Sequence, residues 1–143
     1  MAIRPNSYQI KHALAKNKLE KAVDFCAKGN VNEGDQLFDQ GVDELLVLLD
    51  SPKYSNNIGY SVHTYISMTL RYYKKRNRII EEDTILLMYD YLVQSSKKSY
   101  DKWMRICRNE LFKYCKENYP EDLSLFDISK FDKFKTENYI KSI

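Results

Sequence analysis

Three aspartates, Asp35, Asp39 and Asp43, recur at every fourth residue. On a helix, residues four apart are neighbours, so this spacing lines the three carboxylates along one face. Such a row can ligate a divalent cation or move a proton between paired carboxyls. A metal centre within a helical protein draws matching ligands from a second helix, and the chain has no Glu-x-x-His pair to supply them. The row therefore reads as a solvated acidic face. His12 and His63 stand in no metal-ligand spacing with Cys or a carboxylate, and both are expected to be ordinary surface or partly buried histidines. Cys107 sits among Lys102, Arg105 and Arg108, cations that would favour a thiolate. Helical phase instead places it with Trp103 and Leu111 on an apolar stripe, where a thiol is inert. No phosphate-cradling Gly-rich loop, GxSxG or dinucleotide fingerprint occurs. The expectation is a protein that is not an enzyme, with no catalytic residue, metal or cofactor.

Charge segregation is the more informative pattern. Between Gly29 and Pro52 there are six acids and no Lys or Arg, a local net of −6. Residues 71–78 hold five bases and no acid, and residues 97–116 hold seven bases against two acids, a net of +5 each, although the whole chain carries only +3. The candidate partner-binding residues are a basic patch of Arg71, Lys74, Lys75, Arg76, Arg78, Lys102, Arg105 and Arg108, and an acidic face of Asp35, Asp39 and Asp43. Tyr72, Tyr73, Tyr100 and Trp103 are interleaved with the bases. Basic and aromatic residues together serve single-stranded nucleic acid, and Tyr and Arg also dominate protein–protein hot spots. Tyr73 and Trp103 fall on stripes expected to be buried, which leaves fewer rings for stacking on bases. The first reading is thus a protein-binding accessory or regulatory protein (an adaptor, inhibitor or chaperone-like protein). A nucleic-acid-binding regulator that contacts phosphates through the basic patch is the alternative. A homodimer through Gly34 and Gly41 or through the Tyr-rich face is a further form. An acidic helix facing a basic one inside the fold would produce the same charge pattern.

The elements that position these residues are helices. The chain has 143 residues, close to one domain in size, with only four Gly and three Pro to make turns. The expectation is an all-α single-domain bundle over residues 1–143, with five to six helices and short connections. Ala15, Leu19, Ala22 and Cys26 mark one face of a first helix over about 7–28, with Ile10 and Leu14 extending the stripe. Gly34, Leu37, Phe38, Gly41, Leu45, Leu48 and Leu49 mark a second over about 32–49, capped by Asn30 or Asn32. Its two glycines share a stripe, which predicts close approach of the first helix. Ile58, Val62, Tyr65, Ile66, Thr69 and Tyr73 mark a third helix running to about Arg76, capped by Asn56 or Asn57. Ile85, Met88, Tyr89, Leu92 and Val93 mark a fourth, which is expected to break near Ser95. Trp103, Ile106, Leu111, Tyr114 and Cys115 mark a fifth, ending near Asn118. The apolar segment from about 120 to 143 is expected to pack on the bundle, with a sixth helix over about 129–140.

The odd count of three Cys argues against a disulfide framework and for a cytoplasmic location. No signal peptide or membrane span is expected. Abundant Lys, Asn, Ile and Tyr resemble the bias of AT-rich genomes, including those of phages and mobile elements. The hairpin from Leu19 to Asp50 resembles the helical hairpins of tetratricopeptide and flagellar-chaperone-type bundles over 32 residues. It carries no specific motif, so the resemblance implies an architecture and no site.

Overall fold

The computed structural model describes residues 7–51, 58–98 and 102–121. The chain is all-α, with five helices and no strand among the described residues: α1 (Ser7–Ala27), α2 (Val31–Asp50), α3 (Ile58–Arg76), α4 (Glu82–Lys98) and α5 (Lys102–Asn118). It divides into two compact units between Arg78 and Ile79, the first built on α1 to α3 and the second on α4 and α5. The loop at 52–57 with its capping asparagines, Tyr100, the side chains of Ile58 and Trp103, and the segment from 122 with its expected sixth helix lie outside the described residues.

In the first unit α1 and α2 form an antiparallel hairpin. The small residues Ala15 and Ala22 of α1 face Gly41 and Gly34 of α2. A Cβ on Gly34 would lie 2.8 Å from Cys26 Sγ and 3.0 Å from the Ala22 carbonyl oxygen. One on Gly41 would lie 2.8 Å from Leu19 Cδ2 and 3.1 Å from the Ala15 carbonyl. The expected close approach is present. Its packing offsets the roughly 1 kcal/mol that each glycine costs a helix. The turn between the helices is equally tight. Gly29 adopts φ +87°, its N–H donates to Cys26 C=O at 3.1 Å, and the Asn30 N–H donates to Phe25 C=O at 2.8 Å. This is a Schellman ending with glycine at the left-handed position. Asn30 then starts α2 through its carbonyl, which accepts the Gly34 N–H at 3.0 Å. Its side chain makes no capping bond, contrary to expectation, and its backbone at φ −88° and ψ 67° lies outside the extended region that a capping residue usually adopts.

The buried stripe of α1 is Tyr8, His12, Ala15, Leu19, Ala22 and Val23. Ile10 and Leu14, expected to extend that stripe, are 48% and 56% exposed. Ile10 is two residues from both Tyr8 and His12, hence about 200° around a helix of 3.6 residues per turn. On α3, Val62, Tyr65, Ile66 and Thr69 are buried as expected, but the next core residue is Tyr72, with Tyr73 half-buried. The steps from Val62 to Tyr65, Thr69 and Tyr72 keep the helical phase, and Tyr73 lies about 100° further round. α3 closes with a second Schellman motif around Asn77 at φ 53°, where the N–H groups of Asn77 and Arg78 donate to Lys74 and Tyr73 carbonyls at 3.1 and 2.9 Å.

In the second unit Ile85, Met88, Tyr89 and Leu92 of α4 and Met104, Cys107, Leu111 and Cys115 of α5 are buried. Val93, Ile106 and Tyr114, expected inward, are half-buried. α4 runs past the serines to Lys98, with Ser95 and Ser96 buried, so the break falls later than expected. The Ile80 backbone is held at both ends: its N–H donates to Tyr114 OH and its C=O accepts from Tyr119 OH, each at 2.7 Å.

Filling the hairpin contact should cost more than the helix gains. Gly34→Ala and Gly41→Ala are each expected to lower stability by about 1–3 kcal/mol through overpacking. Gly29→Ala is expected to lower it by about 1–2 kcal/mol through its left-handed backbone. Urea unfolding of the three variants against the parent checks this, and an unchanged or raised midpoint for Gly41→Ala would contradict the backbone contact.

Candidate functional site

Four of the charged residues singled out in the sequence, Asp35, Asp39, Arg76 and Arg78, converge at one end of the first unit. Asp35 stands one residue beyond Gly34, where α2 lies against α1 and α3 crosses both. The Arg76 guanidinium meets it in a forked pair, Nε to Oδ1 at 2.9 Å and a terminal nitrogen to Oδ2 at 3.1 Å. The Tyr72 hydroxyl also donates to Asp35, and the Cys26 thiol donates to that hydroxyl at 3.2 Å. One carboxylate therefore ties together Cys26 of α1, its own helix α2, and Tyr72 and Arg76 of α3. Hydrogen bonds in such a chain polarise one another, and the forked charged pair is the strongest kind among them.

An aromatic stack continues outward from this tie. Tyr72 stacks on Phe38 at 4.2 Å and 7°, and Phe38 meets the edge of Tyr73 at 6.1 Å and 75°. The Arg78 guanidinium lies 5.3 Å from the Tyr73 ring centre. The Schellman turn makes this contact, since it folds its last residue back over the last helical turn. Asp35, Asp39, Tyr72, Tyr73, Arg76 and Arg78 line a cleft of about 180 Å³ between α2 and the end of α3.

The two aspartates of this cleft sit in opposite electrostatic settings. The hydrogen-bonded Arg76 guanidinium, with Tyr72 helping, holds the Asp35 carboxyl below the usual carboxylate range. Partial burial and the neighbouring charges of Asp35 and Asp43 push Asp39 above it, with Arg78 opposing. Burial and the adjacent carboxylate keep the Tyr72 phenol far from ionising.

The candidate binding residues are thus partly sorted against each other. Arg76 and Asp35, expected on separate faces, are each other's partner, and Arg78 faces Asp39. Arg71, Lys74 and Lys75 are exposed on α3, as are Asp39 and Asp43 on α2. Lys102, Arg105 and Arg108 lie on α5 in the second unit; the first two are exposed, and Arg108 forks onto the Asn109 side chain at 2.9 and 3.1 Å. No group of three or more His, Cys, Asp or Glu converges in metal-binding fashion among the described residues. Cys26, Cys107 and Cys115 are unbridged thiols; Cys107 and Cys115 are buried, and burial pushes the Cys115 thiol up to about 11.

A second polar cluster had no signal in the sequence. His12 of α1 is 5% exposed and lies with Ser61, Thr64 and Tyr8 in the core. Its Nδ1 is 2.9 Å from Ser61 Oγ, within the reach that a Ser–His nucleophile would need. Ser61 is fully buried, however, so no substrate reaches the hydroxyl, and the pair acts as a packing element. Its members are 49 residues apart in the chain, and no short motif spans such a distance.

The fold and cleft define a small all-α bundle protein with a mixed-charge, tyrosine-walled surface. Compared with known proteins, the chain matches no protein-family model, no curated protein sequence and no solved structure.

Opposite pH responses are expected from two aspartates one helical turn apart. Asp35 adds stability above its unfolded pKa of about 3.9, and that contribution is lost as pH falls through its lower folded value. Asp39 is charged at a cost when folded, so stability declines as pH rises from about 3.9 through its higher folded value. At pH 7, Asp35→Asn should lower Tm and Asp39→Asn should raise it, and the gain for Asp39→Asn should vanish near pH 3. Thermal melts at both pH values read the signs.

Proposed function

We propose that this chain is a non-enzymatic accessory or regulatory protein, of adaptor, inhibitor or chaperone-like kind, that binds another protein through the face around the Asp35–Arg78 cleft. The observation that carries this reading is the convergence of Tyr73, Arg78 and Asp39 around a formed cleft, with Asp43 on the same face and Arg71, Lys74 and Lys75 outside it. Tyr and Arg are the side chains that most often carry binding energy between proteins. Charges of both signs at a rim speed encounter and select partners. Nucleic acid fits this face less well. Two of the five bases on residues 71–78 face carboxylates, and Asp39 and Asp43 beside them would repel phosphates. Among the described residues no helix is long and apolar enough to cross a membrane. The unbridged thiols agree with a reducing, cytoplasmic compartment.

Capture from native host extract tests the reading, with the full chain as bait. The protein retained by the parent should bind the Tyr73→Ala/Arg78→Ala variant at least about tenfold more weakly, as loss of a hot spot implies. Arg105→Glu, on the other unit, should bind as the parent does. Equal capture by all three, or parental binding to a DNA or RNA oligonucleotide that weakens steeply as salt rises from about 50 mM, would overturn the proposal.

A further inference from the structure

The first unit has a polar seam near each end of α3. Near the start of α3, His12 sits between two hydroxyls of that helix. Its Nδ1 is 2.9 Å from Ser61 Oγ and its Nε2 is 3.2 Å from Thr64 Oγ1. Tyr8 OH lies 2.5 Å from the same Ser61 oxygen, and the Tyr60 ring lies tilted against the imidazole at 4.6 Å. A neutral imidazole offers one N–H and one lone pair, so one hydroxyl accepts while the other donates. Protonation turns both nitrogens into donors. The donating hydroxyl must then reverse, inside a cluster that is 5% exposed or less at His12, Ser61 and Thr64.

Among the described residues no carboxylate acts on the His12 ring. On α1 the titratable groups of this stretch are Tyr8, Lys11 and Lys16, and on α3 they are Tyr60, His63 and Tyr65; the Tyr60 hydroxyl accepts from Lys16 Nζ at 3.5 Å. On α2 the buried residues of this stretch are Leu45, Leu48 and Leu49; Glu44 is paired with Lys18, and Asp50 is exposed at the helix end. The charge that acts on the ring is Lys16, which has the same sign as an imidazolium. An uncompensated charge in such a site is costly, and the fold responds by losing the proton or opening the site. The opposite seam, Cys26–Tyr72–Asp35–Arg76, depends on a carboxylate that its guanidinium partner keeps ionised.

We propose that the first unit carries an acid-operated release: protonation of His12 frees the 8–15 stretch of α1 from the 61–64 stretch of α3, while the end held by Asp35 and Arg76 stays closed. Burial and Lys16 hold the folded His12 below its ordinary value, so the open state binds the proton first. The seam is intact above about pH 6.5 and weakens as pH falls below it. The Asp35 seam persists until pH drops below the ordinary carboxylate value of about 3.9. Between these limits one end of the unit opens alone.

Amide hydrogen exchange and a histidine NMR titration of the full chain test this. The His12 ring should titrate below about 6.5. After correction for intrinsic exchange, opening at amides 8–15 and 61–68 should rise by up to about tenfold per pH unit below that point, the limit set by uptake of one proton. Amides at 22–38 should not follow. His12→Gln should abolish the rise. Lys16→Glu, at a half-buried surface position, should raise the ring's titration point and shrink the rise, which keeps the test decisive if the His12 variant fails to fold. The proposal falls if the ring titrates at or above about 6.5, if opening is uniform across the first unit, or if the rise is unchanged in Lys16→Glu.

Discussion

The first unit depends on two helix backbones touching. At Gly34 and Gly41 of α2 there is no room for a side chain, because Cys26, Leu19 and the carbonyls of Ala22 and Ala15 occupy that space. This contact sets how closely α1 and α2 lie together, and so decides what α3 can reach. From a single position on α3, the Tyr72 hydroxyl meets Cys26 on one side and Asp35 on the other. A wider hairpin would separate those partners. The forked Asp35–Arg76 pair, the Phe38–Tyr72 stack and the cleft beyond them are therefore consequences of two missing side chains.

The polar groups of this unit divide between holding and presenting. Asp35 and Arg76 hold: each is about a third exposed or less at the side chain, 32% and 24%, and engaged with the other. Asp39, Tyr73 and Arg78 present: they line the same cleft but lie toward solvent, and partial burial and the neighbouring carboxylates hold the Asp39 carboxyl above its ordinary value. Surfaces that bind are commonly supported by such a rigid layer beneath. Here Asp39 lies one turn from Asp35 on α2, and Tyr73 and Arg78 flank Arg76 at the end of α3. The His12 cluster is a third kind of polar group, sealed in the core and satisfied by hydroxyls alone, which suits a neutral ring and no other.

Much of the architecture was legible in the residues. Apolar spacing located the five helices of the described residues to within a few positions, and the glycine pair on the α2 stripe pointed to the close approach found there. The paired acidic and basic runs admitted an inward or an outward arrangement, and the structure contains both: Asp35 and Arg76 face inward, Arg71, Lys74 and Lys75 outward. Periodicity failed where two adjacent residues were equally apolar. Tyr72 and Tyr73 differ by one step of about 100°, and the stripe alone favoured the wrong one. Likewise Ile10 and Leu14 looked like core by type, yet Tyr8 and His12 hold that side of α1 because α3 offers them hydroxyls.

Local chemistry determined the helices, their stops and the sign of charge along each, because capping, periodicity and dipole effects act within a turn or two of the chain. Gly29 ending α1 and the acidic start of α4 belong to that class. Tertiary structure alone decided which arginine meets which aspartate, that His12 finds Ser61, and that a cleft opens beside Arg78. The His12–Ser61 and Asp35–Arg76 pairings span 49 and 41 residues of chain, and their partners are selected by how closely α1 and α2 approach, a distance that no short window of sequence encodes.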